Sequence, residues 1–433
     1  MARITTDDVH GYINGVCFKT GPPGKVGAET EWLVTDPARP TEPVHLDRLT
    51  EALDTTGTLP AGSRITFEPG GQLELSSAVR PGPAKVYEAL AADLAHVGKN
   101  LGEAGLQLSG AALDPVRPPL RQLRSARYTA MERFFTNHRQ PSGRTMMCST
   151  ASVQVCLDTG ADAADLRARW ELTHRLGPVL VAAFANSAFW RGRPTGWKST
   201  RWAIWAATDA SRTRPVLDLG DRSDPATAWA EYALAAKVMA VPETPEGDGH
   251  WIADPGCTLA EWIGGLGPRP ATLVDLEFHL STLFPPVRPR GWWELRMIDA
   301  LPHRWWPVPM ALTAALFDDP VARATAEEAT ERLCGGRAPG PRLWLTSAQR
   351  GVADPEIAAC AQACFDAGVR ALPRMGAADL ASLVDDYADR YTRRGLSPAD
   401  AGPWVPGPRS AGTGTSGTGP DPAHHSESRG GAR

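Results

Sequence analysis

Apolar and polar residues alternate most cleanly along S-T-A-S-V-Q-V-C-L-D, where Val153, Val155 and Leu157 share one strand face and Ser152, Gln154 and Cys156 the other. Such a segment suits a sheet covered by helices on its apolar side and lining a cavity on its polar side. The same period of two runs through V-G-A-E-T-E-W, which puts Glu29 and Glu31 on one face, and through W-W-E-L-R, which does so for Glu294 and Arg296. Strands over 64–68 and 72–76, turned by Pro69, Gly70 and Gly71, make a hairpin that carries Glu68 and Glu74 toward the first pair. A further strand is expected over 107–113, and residues 11–36 read as an extended entry with a P-P-G turn at 22–24.

Helical spacing covers 47–53, 84–102, 127–135, 225–239, 272–284, 309–334, 354–368 and 375–394. Residues 161–189 are also helical, with Pro178 expected to break or kink them into 162–177 and 179–186. Between these, G-R-P-T-G-W-K-S-T-R-W-A-I-W is basic and aromatic, with turn residues ahead of a helix-like run. From about residue 401 the chain turns to Gly, Ser, Thr and Pro. One folded domain is therefore expected over 1–402, followed by a disordered tail over 403–433, whose His424 and His425 make a poor metal site.

The chain of 433 residues, 42% hydrophobic and 22% charged, can bury a large core as one domain or two fused lobes. A net charge of -4 gives no electrostatic reason to expect nucleic acid as a partner. No run reaches 18 apolar residues and the start, M-A-R-I-T-T-D-D-V-H, lacks a signal-peptide pattern, so cytoplasmic residence without membrane contact is expected. The seven cysteines are odd in number and dispersed, unlike a disulfide scaffold. Cys360 and Cys364, four apart on a helix, lack the second pair a metal site would need and are expected to be buried. Trp190, Trp197, Trp202 and Trp205 are expected in the core and cleft walls.

Five carboxylates, Glu29, Glu31, Glu68, Glu74 and Glu294, would repel one another on a single sheet face unless cations compensate them. A site for Mg2+ and a nucleotide, with phosphoryl chemistry, accounts for them better than a plain core. Arg296 would serve a phosphoryl or carboxylate group, its ordinary alternative being a salt bridge with these acids. Arg193, Lys198, Arg201, Arg212 and Arg214 would by default be surface charges. Their interleaving with glycine and tryptophan suggests instead a loop over an anion, with Arg201 the first choice for a substrate carboxylate. No G-x-x-x-x-G-K-S/T element occurs, and the turn at 21–25 does not replace one. Ser149 and Ser152 lack a nucleophile's context and have no reason to pair with His138 or His174. Cys148 reads as a wall residue and His174 as packed or hydrogen-bonded.

G-A-E-T-E-W, F-E-P-G-G-Q-L-E-L-S, R-Y-T-A-M, S-V-Q-V-C-L-D, the segment 192–205 and W-W-E-L-R-M-I-D together resemble the glutamate-cysteine ligases of plant and actinobacterial type, in the carboxylate-amine ligase group related to glutamine synthetase. The resemblance implies an α+β fold: an antiparallel β-sheet curved into a funnel, helices packed outside, and a glutamine-synthetase-like catalytic core. It implies ATP and Mg2+, with Mn2+ an alternative, and L-glutamate and L-cysteine as substrates; the oligomeric state is not legible in the sequence, a monomer being the plain expectation. By motif position, Glu29, Glu31, Glu68, Glu74 and Glu294 would hold metal, and Arg296, Glu294 and Glu68 would be catalytic. Glu74, Arg127, Gln154, Lys198 and Arg201 would bind substrate, with Glu29, Gln154 and Arg296 on the nucleotide side. The product would be gamma-glutamylcysteine, formed through gamma-glutamyl phosphate, and the compact amino terminus resembles the actinobacterial enzyme of ergothioneine synthesis. A ligase for another amine, a guanidino kinase and a non-catalytic amino-acid-binding protein remain as alternatives.

Overall fold

The alternating segments pair into one eight-stranded sheet in a computed structural model that describes residues 2–54, 59–216, 224–243, 250–302 and 304–402. Its strands are β1 (Lys25–Thr35), β2 (Arg64–Phe67), β3 (Leu73–Ser76), β4 (Arg80–Pro81), β5 (Gln107–Ser109) and β6 (Ser152–Leu157). Two short hairpins stand apart, β7 (Phe189–Trp190) with β8 (Arg193–Pro194) and β9 (Ala240–Pro242) with β10 (Trp251–Ala253). The last two strands, β11 (Val287–Pro289) and β12 (Trp293–Asp299), complete the sheet. The order is β11-β12-β6-β1-β3-β2, with β4 and β5 also on β1, and the strand pairings are antiparallel, as expected.

One face is apolar. Val26, Ala28, Trp32, Leu73, Leu75, Val153, Val155, Leu157, Trp293 and Leu295 are all buried there. Helices Gly82–Glu103, Ala163–Ala183 and Pro307–Asp318 pack against strands of this sheet. Because a one-residue slip would send these side chains to the opposite face, their burial fixes the register, and with it the polar face. Thr30 is the polar exception, and its hydroxyl accepts the Trp32 indole N–H at 3.0 Å. Outer helices begin on aspartate caps followed by proline: Asp319 accepts from Val321 and Ala322, and Asp354 from Glu356 and Ile357.

Several boundaries depart from the sequence pattern. Pro178 does not divide its helix, which runs unbroken over Ala163–Ala183. Burial of residues 176–183 and the seat of Trp344 against Gly177, where a Cβ would lie 2.1 Å from the ring, hold the chain helical despite the lost hydrogen bond. Residues 11–17 are helical rather than extended: Thr5 and Asp8 form a capping box for helix Thr6–Tyr12, which continues as a π-helical turn over Ile13–Cys17. The stretch 309–334 is two helices parted at Asp319, because Pro320 starts a new one. Helix Pro225–Ala235 ends early, before the β9–β10 hairpin, and the expected strand over 107–113 stops at Ser109. The tail expected over 403–433, with His424 and His425, lies outside the described residues.

All seven cysteines are free, and Cys360 and Cys364 are buried on helix Pro355–Ala371, as expected. Among the described residues no helix is long and apolar enough to cross a membrane.

Candidate active site

Strand register carries the polar residues to one face. Glu29 stands opposite Gln154 on one side and Ser76 on the other, while Glu31 stands opposite Glu74. Glu294 is opposite Cys156 and Arg288, Asp299 is opposite Ser152, and a bulge between Leu295 and Ile298 carries Arg296. Glu68 follows β2 at a tight turn, where its N–H donates to Gln72 C=O at 2.9 Å and its C=O accepts from Gly71 N–H at 2.8 Å. Glycine is required there: a Cβ on Gly70 would lie 2.2 Å from the Cys148 carbonyl oxygen, and Gly71 has φ of 86°.

The acidic end is built from Glu31, Glu68 and Glu74, each offering a carboxylate oxygen within 4.8 Å of the others. Glu31 accepts from Ser152 N–H at 2.8 Å and Gln154 Nε2 at 2.9 Å. Glu74 accepts the Thr66 hydroxyl at 2.6 Å and the Ser76 hydroxyl at 3.2 Å. Burial and the neighbouring charges of Glu31 and Glu74 push Glu68 up to about 8. Burial, then Glu294 and Glu74, push Glu29 up to about 7, and burial also raises Glu31. These oxygens are hard donors on two strands and the tight turn after a third, and carry more negative charge than the face can ionise unaided, so they fit a hard divalent cation such as Mg2+.

The basic end surrounds Glu294, which is 1% exposed. Its carboxylate accepts from Arg288 at 2.8 and 3.1 Å through Nη2, pairs with Arg296, and has Arg290 3.6 Å away. Burial raises its pKa, but Arg288, Arg296 and Arg290 outweigh that and bring it down to about 2. Gln154 joins the two ends: its Oε1 accepts from Arg296 Nη1 at 2.6 Å while its Nε2 serves Glu31. Helix Thr200–Ala206 supplies Arg201 and Trp205. Arg201 Nη2 donates to the Arg296 carbonyl at 2.9 Å, and both guanidiniums lie over the Trp205 ring, at 5.0 and 5.8 Å from its centroid. Arg127 donates to Ser281 Oγ at 3.0 Å, and its positive charge is felt by Glu68's neighbour Tyr128. The Nε atoms of Arg127, Arg201 and Arg296 are buried without a hydrogen-bond partner among the described residues.

The structure thus gathers Glu29, Glu31, Glu68, Glu74, Gln154, Arg201, Glu294 and Arg296 around one polar face. Glu29 and Glu294 lie outside the trio of oxygens that fits a cation; in Glu294 the arginines engage both oxygens. The expected substrate role of Lys198 meets a different arrangement. Lys198 precedes the helix, its N–H bonds Ala348 C=O at 3.0 Å, and its ammonium pairs with Asp400. Nor do the other basic residues form one anion loop. Arg193 is exposed, Arg212 is committed to Asp209, Thr282 and Lys237, and Arg214 lies over Tyr232.

The tryptophans divide likewise. Trp202 stacks on Trp344 at 4.8 Å and Trp205 donates to Phe284 C=O at 2.8 Å, both as buried pillars. Trp190 and Trp197 help line a cavity of about 710 Å³ beside the same helix. His174 is buried with Nδ1 2.9 Å from Trp170 C=O, consistent with a packed histidine. The residues missed in the sequence are Arg288, Arg290 and Asp299, whereas Trp205 stands in a wall of the site, in line with its expected place. A signal existed for the first two: in V-R-P-R-G they are two apart, a strand spacing, beside W-W-E-L-R.

The model of glutamate-cysteine ligase family 2 (GCS2) matches residues 25–401. The glutamate-cysteine ligase EgtA of Mycobacterium tuberculosis is 39% identical over 394 residues, covering 90% of this chain and 88% of that protein. The chloroplastic glutamate-cysteine ligase of Brassica juncea is 26% identical over 347 residues, 75% of this chain and 66% of its own. Among solved structures, the glutamate-cysteine ligase (gshA) of Francisella tularensis in complex with AMP aligns over 89% of this chain and 85% of that one, with 10% identity and a TM-score of 0.47.

Proposed function

Since the chain belongs to glutamate-cysteine ligase family 2, we propose that it joins L-glutamate, through its gamma-carboxylate, to L-cysteine at the expense of ATP. The observation that supports this most directly is the trio of Glu31, Glu68 and Glu74 oxygens beside Gln154, which bonds both Glu31 and Arg296, with Arg201 held on the Arg296 carbonyl. A carboxylate resists attack by an amine until one oxygen becomes a leaving group, so ATP first converts the gamma-carboxylate to an acyl phosphate. The cysteine amine then attacks that carbonyl, forming the amide and expelling phosphate.

This chain's residues would divide the work. A divalent cation held by Glu31, Glu68 and Glu74 would supply charge neutralisation to the triphosphate. Arg296, held on Glu294 and Gln154, would meet the negative charge of the transferred phosphoryl group with its remaining donors. Arg201, over Trp205, would take a carboxylate of glutamate. Glu29 would face the nucleotide, and Arg127 would act from the Glu68 side of the face. Exclusion of water keeps the acyl phosphate from hydrolysis.

The same reading includes the curved funnel and the glutamine-synthetase-like core, a catalytic domain over 1–402 with a tail over 403–433, and a cytoplasmic monomer. Similarity to actinobacterial sequences supports ergothioneine synthesis as the destination of the product. The test is incubation of the purified protein with ATP, Mg2+, L-glutamate and either L-cysteine or each other amino acid, with products read by mass spectrometry alongside ADP. Cysteine-dependent gamma-glutamylcysteine is the expected result. A different adduct would replace the acceptor, and absence of ATP turnover would overturn the reading.

A further inference from the structure

We propose that Asp299 is a positioning residue that holds Arg201 in place for the carboxylate of the donor amino acid, an inference that rests on the ligase reading above. Asp299 closes β12, three residues beyond Arg296, and is 2% exposed. Its Oδ2 accepts the Asn186 N–H at 2.9 Å and the Ser187 hydroxyl at 2.7 Å. Its Oδ1 accepts the Ser199 hydroxyl at 2.9 Å and lies 3.7 Å from Arg201 Nη1. The two serines extend this grip to the helix itself. Ser187 Oγ accepts the Arg201 N–H at 3.0 Å, and Ser199 Oγ accepts the Trp202 N–H at 3.1 Å as the helix cap. One carboxylate therefore ties the end of β12, the segment at Asn186 and Ser187, and the first turn of the helix that carries Arg201.

The need for such an anchor is electrostatic. Arg201 and Arg296 bring two positive charges over one indole, and like charges in a buried site separate unless each has a counter-ion. Arg296 has Glu294, and Arg201 has Asp299. Because Asp299 stands at ion-pair distance, it fixes the guanidinium while Nε keeps no hydrogen-bond partner among the described residues. Nε is thus one of the Arg201 donors not spent on a described residue, and it serves a ligand carboxylate.

Steady-state kinetics of Asp299→Asn test this. The expected result is a rise of about tenfold or more in KM for L-glutamate, the size of a lost charged contact, with KM for ATP nearly unchanged. Combined with Arg201→Lys, it should add little to the penalty of Arg201→Lys alone. Equal rises in both KM values, a fall in kcat with the glutamate KM unchanged, or additive penalties would overturn the inference. Ser187→Ala, which removes only the bridging hydroxyl, covers the case in which Asp299→Asn does not fold, and should raise the glutamate KM by about threefold. The wild-type product assay decides the ligase reading by itself. A crystal structure of Asp299→Asn, or of Ser187→Ala, decides the anchor independently: Arg201 displaced from Trp205 supports it, and Arg201 unmoved overturns it whatever product the wild type makes.

Discussion

Glu31 and Glu74 are direct cross-strand partners in the β1–β3 pair, so two carboxylates rise side by side from the polar face with Glu68 beside them. Like charges directly opposite on antiparallel strands destabilise the pair. Glu74→Gln is therefore expected to raise the thermal midpoint of the metal-free protein while removing most turnover and most of the stabilisation by Mg2+. Melting curves with Mg2+ and with a chelator check this. Equal Mg2+ stabilisation of variant and wild type would remove Glu74 from the cation site.

The same crowding sets a pH dependence. The folded protein holds Glu68 near 8 and Glu29 near 7, against an ordinary value of 4.5. Between 4.5 and 8 the folded state therefore binds more protons than the unfolded chain. The contribution of these groups to stability is whole below the unfolded value and is lost as pH rises through the folded ones. Metal-free protein should lose stability across that window, and saturating Mg2+ should flatten the loss, because the cation takes the place of the proton. Mg2+ binding should release protons and tighten with rising pH. Urea unfolding at several pH values, with and without Mg2+, gives the slopes; a metal-free slope of zero or of opposite sign would contradict the carboxylate assignment.

Much of this site is legible in the sequence because strands report their faces. The two-residue spacing of Glu29 with Glu31 and of Glu294 with Arg296 survives folding unchanged, and so does the alternation through Ser152, Gln154 and Cys156. Less legible are partners set by long-range register. Arg288 reaches Glu294 only because β11 turns back on β12, a pairing that prolines at 285, 286 and 289 do not announce. Lys198 has a partner that no local pattern announces: its motif suggested a ligand contact, and in the fold its ammonium pairs with Asp400, 202 residues along the chain. Pro178 misled for a third reason, since tertiary burial held a helix that local propensity would break.

Arg288 offers a prediction that no sequence motif suggested. It donates to both oxygens of the buried Glu294 carboxylate and is the first of the positive charges that hold its pKa down. Arg288→Met leaves Arg296 and Arg290 to carry Glu294, so the loss should be below the 3 to 5 kcal/mol of a fully broken buried pair, at about 1 to 3 kcal/mol. Arg296 should then be held more tightly by Glu294 and be less free to meet phosphate, and turnover should fall. A shift in urea midpoint at constant slope measures the first effect, and kcat measures the second. Unchanged stability would mean that Arg290 and Arg296 suffice.

Trp205 separates packing from electrostatics at the same place. Its indole lies under Arg201 and Arg296 and donates to Phe284 C=O, so it supplies a π face to two cations and a hydrogen bond to the chain. Trp205→Phe keeps a ring face and loses the hydrogen bond, whereas Trp205→Leu loses both. Each cation over an aromatic face contributes about 0.5 to 2 kcal/mol, and about 1.4 kcal/mol corresponds to tenfold in a rate or affinity. Trp205→Leu should thus lower kcat/KM for L-glutamate by about tenfold to a hundredfold, and Trp205→Phe by clearly less. Both variants open space in the core and should melt earlier, so the ratio of their activities at a temperature where both are folded is the decisive quantity. Equal activity of the two would assign Trp205 to packing alone and leave Asp299 and Glu294 to hold the two arginines.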